Sequence, residues 1–343
     1  MSSPLAMRAL SFALAALLVT AGTTRAEGIQ YPDDFFQQFP LYRPVDGLSG
    51  EVDVLSSPVL DVVFRRAMDE FAKFYPKLDV RLAETAGDRP DIPESLIAGK
   101  SSFIGVLTPL TERQSAGFEK RFGYPPTLVK FAVAAIGIFV ARDNPIAGLT
   151  LKQLDAIFSA ERRRGGREAV KWGDLGLGGK WVDQTIVAFG NRGEVGFYEW
   201  FRQAVLLGSE TKGTMREQLS DTSSIQGVGI EPGGIAYANL LFATPRTRFL
   251  PIFDDDGKLY SPLHSRCVNQ QYPLCGFIYI YANAGENGKL SLAAREFIKY
   301  LLSREGQTAV ADGAQYPVSP EISRKEIESL NRGTIAKERT APK

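Results

Sequence analysis

The sequence predicts an α/β protein in two parts, built on mostly parallel sheet covered by helices on both faces. Three observations carry that reading. From Glu51 onward, apolar runs of strand length alternate with segments of helical period. A length of 343 residues suits two domains of roughly 150 residues each. The pattern is then broken by Arg142-Asp143-Asn144-Pro145, a turn signal in mid-chain.

The elements follow in order. Alternating Val52 and Val54 mark a first strand, and Leu60, Phe64, Met68 and Phe71 one face of a helix. Leu78–Glu84 reads as a strand, Ile92–Ala98 as a short helix, Ser102–Leu107 as a strand and Thr111–Phe122 as a helix. Leu128–Val140 is apolar throughout, as one or two buried strands would be. Beyond the break, Leu149–Ser159 is an amphipathic helix with Leu151, Leu154, Ile157 and Phe158 inward. Glu161–Arg167 is a charge run that reads as a solvated loop. Ile186–Phe189 is a strand, Met215–Leu219 a helix, and Gly234–Ala238, Arg248–Phe253 and Phe277–Tyr281 are strands. Leu292–Leu302 is a helix, and Ile322–Lys343 is charged and partly helical before it frays.

At the front, residues 1–26 have the form of a signal peptide. Arg8 charges the first part, Ala9–Ala21 is apolar but too short to span a membrane, and Thr24-Arg25-Ala26 offers a cleavage site. Gln30–Ser49, rich in aromatics and prolines, reads as an ordered lead-in or a linker. Lys+Arg 40 against Asp+Glu 39 gives no basic excess, which argues against nucleic acid as a partner. Export makes the two cysteines interpretable. Cys267 and Cys275 are the only pair, and an oxidising compartment would bridge them. With one histidine, His264, on a loop and most simply at the surface, no metal site is expected.

The stretch Ile186–Phe201 carries the expected function. A strand, the turn Gly190-Asn191-Arg192-Gly193 and a helix from Val195 to Leu207 place unpaired amides where an anion could sit. An ordinary strand-to-helix turn has the same pattern. Glu194 sits at the start of that helix, where its carboxylate could take the amides itself. No enzyme motif survives. Gly173–Trp181 lacks phosphate-loop spacing, Gly227–Gly233 lacks dinucleotide spacing, and no cofactor is implied.

These segments together resemble the PstS-like periplasmic phosphate-binding proteins, the type II solute-binding proteins of ABC transporters. The similarity runs from about Ser49 to Pro320, through Asp143–Ser159, Trp172–Leu177, Gly233–Leu240, Tyr272–Asn283 and Leu301–Ser319. The resemblance implies a two-lobed periplasmic-binding-protein fold, with lobe one at 46–141 plus 244–325 and lobe two at 142–243. It leaves a lead-in at 27–45 and a charged tail from 326. It also implies a small anionic solute between the lobes, an ABC permease as partner and a monomer.

Ligand positions carried over by that resemblance are Ser57 in the first turn, Arg89 in the second, Thr108 in the third, and Asn191, Arg192 and Glu194 in the fourth. At family hydroxyl or arginine positions this chain has Val59, Pro109, Asn191, Val195 and Phe197. Hydrogen bonds to a charged group are worth roughly 1.5–3 kcal/mol each, so losing three or four removes micromolar phosphate affinity. The expected ligand is therefore another oxyanion or a larger solute. The alternative is a ligand-free interaction or scaffold protein on the same fold.

Overall fold

The computed structural model describes residues 31–83, 92–192, 197–240, 243–284, 289–313 and 315–332. The lead-in is ordered, with Phe35, Phe39, Tyr42 and Leu48 buried. Arg304 holds it by donating to the carbonyls of Phe36 at 3.0 Å and Gln37 at 2.8 Å, and Arg324 by donating to that of Gln38.

The chain then builds β1 (Gly50–Ser56), α1 (Asp61–Ala72), β2 (Leu78–Leu82), α2 (Ile92–Ile97), β3 (Phe103–Val106), α3 (Glu112–Phe122) and β4 (Thr127–Ala141). The middle of the chain supplies β5 (Leu149–Thr150), α4 (Leu151–Phe158), β6 (Val187–Gly190), α5 (Tyr198–Ala204), β7 (Arg216–Glu217), α6 (Asp221–Ile230) and β8 (Gly234–Asn239). Last come β9 (Thr247–Leu250), β10 (Ile252–Phe253), β11 (Leu259–Tyr260), α7 (His264–Val268), β12 (Cys275–Ala282), α8 (Leu292–Leu302), α9 (Arg304–Asp312), β13 (Tyr316–Pro317) and α10 (Pro320–Arg332).

One strand organises the sheets. The 15-residue β4 pairs through its first part with β12 and β13, and through its second part with β8 and β9. The order β2-β1-β3-β12-β4-β8-β6-β7 runs across both lobes. Outer strands pair in parallel, β2 with β1 and β1 with β3 in one lobe, and β8 with β6 and β6 with β7 in the other. Every pairing of β4 is antiparallel. The sheet is thus mixed where mostly parallel was expected, because β4 and β12 at its centre run against all their neighbours. The apolar run at 128–140 resolves as one strand.

Local chemistry explains most element ends. Thr111 and Thr150 each accept the amide three residues on, and Gln114 and Gln153 reach back, so α3 and α4 both start on capping boxes. One expected helix is absent. Met215–Leu219 is not a helix; it contains the short strand β7. The helix comes later as α6, in a stretch with Gly227 and Gly229 and little helix propensity. Gly227 is required there because an added Cβ would lie 2.6 Å from the Phe189 ring, so only glycine lets α6 close on β6. Ser220, bonded reciprocally with Ser223, was the legible start signal.

The charge run at 161–167 is a loop, exposed at Glu161, Arg163, Gly165 and Arg167 as expected, and two of its arginines are also anchored. Arg164 donates to the carbonyls of Ala204 at 2.6 Å and Val205 at 2.7 Å, and Arg163 to that of Leu207 at 2.8 Å. These arginines satisfy the open carboxyl end of α5. His264, expected on a loop, is instead the first residue of α7. It lies half-buried among Tyr31, Phe35 and Tyr316, bonds the Pro317 carbonyl at 3.1 Å, and has its pKa pushed down by burial.

Helix α10 begins within the expected lobe one and continues through residues 326–332 of the expected tail, packed against α8 and β4. Its Glu326 carboxyl accepts from the Lys130 amide of β4, and burial raises its pKa from 4.5 to about 7, with Lys130 and Lys325 opposing. Between those values the folded chain holds a proton that the unfolded chain has lost, so stability falls as pH rises through that window. Glu326→Gln should therefore raise stability at pH 8 by up to about 3 kcal/mol and change it little below pH 4.5. Denaturant melts at the two pH values check this; an equal change at both would show that the carboxyl is not titrating in the fold.

Candidate functional site

Those expected site residues that the structure describes fall at carboxyl ends of parallel strands, where open α/β sheets place their ligands. On the lobe-one side, Ser57 follows β1 and Thr108 lies just beyond β3. The Ser57 amide donates to the Gly105 carbonyl at 3.0 Å, which ties the two strand ends together. Ser57 is half-buried and Thr108 exposed. Beside them the Ser56 hydroxyl donates at 2.8 Å to Asp61, the first residue of α1, where the helix dipole favours a carboxylate.

Asn191 and Arg192 follow β6 on the lobe-two side. The Tyr237 hydroxyl donates to the Asn191 carbonyl at 2.7 Å. Arg192 is turned into its own lobe. Its Nε donates to Thr211 Oγ1 at 2.8 Å, its Nη2 to the Lys212 carbonyl at 2.7 Å, and its Nη1 lies 3.6 Å from Glu217. The guanidinium thus braces β6 against β7 and the segment before it. Arg89, Glu194 and Val195 lie outside the described residues.

Phe197 is 1% exposed, so the ring at a family hydroxyl position belongs to the core. It packs near Trp200, with ring centroids 6.0 Å apart. Trp200 in turn rests on Gly276 of β12, where an added Cβ would stand 3.0 Å from the indole. This contact joins α5 to β12. Helix α5 has seven residues and starts at Tyr198, which is shorter and later than the helix expected from Val195 to Leu207.

Two residues at this end were not singled out from the sequence. Asp221, the first residue of α6, accepts the Asn239 amide at 2.9 Å. Burial raises its pKa against that hydrogen bond. Ser220-Asp221 before a weakly helical stretch was the available signal for it. Asn239 ends β8, and nothing in its neighbourhood in the sequence marks it.

Comparison with known proteins places this arrangement. Residues 43–305 match the PBP superfamily domain. The phosphate-binding protein PstS of Pseudomonas aeruginosa is 31% identical over 314 residues, covering 91% of this chain and 96% of that one. That of Staphylococcus haemolyticus is 27% identical, covering 83% and 86%. The chain belongs to the PstS family. Among solved structures, a possible phosphate-binding protein from Planctomyces limnophilus superposes with a TM-score of 0.65 at 20% identity, over 84% of this chain and all of that one. An ABC-type phosphate transport receptor from Vibrio cholerae gives 0.61 at 16%, over 77% and 98%. These two share the fold. The relatives are solute-binding proteins by name, not enzymes.

Within this PstS-family fold the arginine of the fourth turn has a structural partner set. Arg192→Ala should cost roughly 1–3 kcal/mol, since it removes three interactions, leaving the Lys212 carbonyl only the Met215 amide and Glu217 without its cation. Chemical denaturation measures it. A loss below about 0.5 kcal/mol would show that Arg192 is not a brace.

Proposed function

We propose that this chain is the exported solute-binding component of an ABC import system, working in the periplasm as a monomer beside a permease. Its solute is held between the carboxyl ends of β1 and β3 and that of β6. Family membership and the shared fold support the class of function. The segment at residues 1–26 supports export. The solute differs from inorganic phosphate: it is another oxyanion or a larger molecule that asks less of an arginine and paired hydroxyls.

The observation that carries the altered ligand is Arg192. A guanidinium bound to Thr211, the Lys212 carbonyl and Glu217 cannot present its planar fork to an anion without giving up those partners. Phe197 adds to this, because a buried ring stands at a family hydroxyl position. Ser57 and Thr108 remain as hydroxyls on the opposite side, too few to replace what is lost.

Calorimetry with phosphate and sulfate at neutral pH and moderate salt tests this. Phosphate should bind with a dissociation constant well above about 1 μM, the level that corresponds to roughly −8 kcal/mol. Tighter phosphate binding would mean that Arg192 changes partners on binding, or that residues outside the described set rebuild the site.

A further inference from the structure

The return crossover into lobe one contains both cysteines, and its hydrogen bonds converge on one residue of β4. The Ile136 amide donates to the Leu274 carbonyl at 2.8 Å, and the Tyr272 hydroxyl donates to the Ile136 carbonyl at 3.0 Å. Tyr272 and Leu274 are fully buried. Ile136 is also where β4 begins to pair with β8, so this point is the seam between the lobes. One residue after Cys275 comes Gly276, the seat of Trp200 from lobe two.

The bridge expected between Cys267 and Cys275 is not formed in the structure; both are thiols, Cys267 buried and Cys275 half-buried. They are nevertheless together. Cys275 Sγ donates to the Cys267 carbonyl at 3.3 Å and to the Tyr272 carbonyl at 2.9 Å, and its thiol lies in hydrogen-bond range of the Cys267 thiol. The turn between them passes through Gln270 in the left-handed region, at φ 55°, held by a bond from its amide to the Cys267 carbonyl. Between Cys275 and Cys267 themselves, the connection is made by weak sulfur hydrogen bonds.

We propose that Cys267 and Cys275 are a redox-formed clamp on the interlobe seam, in which a disulfide locks the 267–275 loop onto Ile136 and fixes the surface on which Trp200 rests. The oxidant is a disulfide, of glutathione or of a protein. The Cys275 thiolate, the more accessible of the two, attacks one of its sulfurs, forms a mixed disulfide and expels one thiolate. Cys267, after losing its proton to solvent, attacks Cys275 Sγ and expels the second. Two electrons pass to the oxidant, which leaves as two thiols once both protons are taken up. The hydrogen bond that the Cys267 thiol donates to Cys275 Sγ, together with burial, raises the Cys267 pKa, which suits it to the resolving step and not to the first attack.

The test uses the whole mature chain, equilibrated with oxidised glutathione or with a dithiol reductant. Alkylation followed by mass spectrometry should find both thiols blocked from alkylation in the oxidised sample and both modified in the reduced one. The oxidised form should melt higher by roughly 3–8 °C, and hydrogen exchange should slow at Ile136 and across 272–278. Cys275→Ser should match the reduced form in both buffers. Alkylation of both cysteines after oxidation would overturn the proposal. So would a bond that forms while exchange at Ile136 stays unchanged, since the bridge would then be local to its loop.

Discussion

Everything in this protein hangs on the pairing of β4. A strand of 15 residues, almost all of them buried, cannot leave its amides unpaired, and no single neighbour is long enough to satisfy it. Four strands divide its length between them, with β12 and β13 along the first part and β8 and β9 along the second. The two halves of the sheet are therefore one hydrogen-bonded system. The strand ends that carry Ser57, Thr108, Asn191 and Arg192 are held relative to each other through it.

Around this spine the remaining contacts limit how the halves can move. Trp200 presses on Gly276, so a helix of one lobe is seated on a strand of the other. That helix has only seven residues, and its carboxyl end is satisfied from outside by Arg163 and Arg164. The Asp155 carboxylate holds the arginine loop by accepting the Arg164 amide at 2.8 Å. A run of charge thus supports the helix beside the fourth turn. On the far side, the lead-in straps α9 and α10 through Arg304 and Arg324.

Much of this was legible in the sequence, for physical reasons that differ by element. Val52 and Val54 alternate, and Leu154, Ile157 and Phe158 recur at helical spacing, because each element buries one face. The run at 128–140 lacks alternation because β4 is buried on both faces. Helix α6 was hidden because close packing on Phe189 selects glycine, which counts against a helix in any local reading. The role of Arg192 was hidden for another reason. Thr211, Lys212 and Glu217 lie about twenty residues away, and only the fold decides whether a guanidinium turns to them or to a solute. Tertiary contacts, which no local reading contains, give the guanidinium its three partners.

The most direct measure of this account is native-state hydrogen exchange along β4. If the strand is one continuous spine, the paired amides from 129 to 140 should be among the slowest in the molecule. They should also open together, with protection carried through Ala134, Ala135 and Ile136 where the lobes meet. Rapid exchange at those three residues, with slow exchange on either side, would show two separate sheets joined by a flexible link and would contradict it.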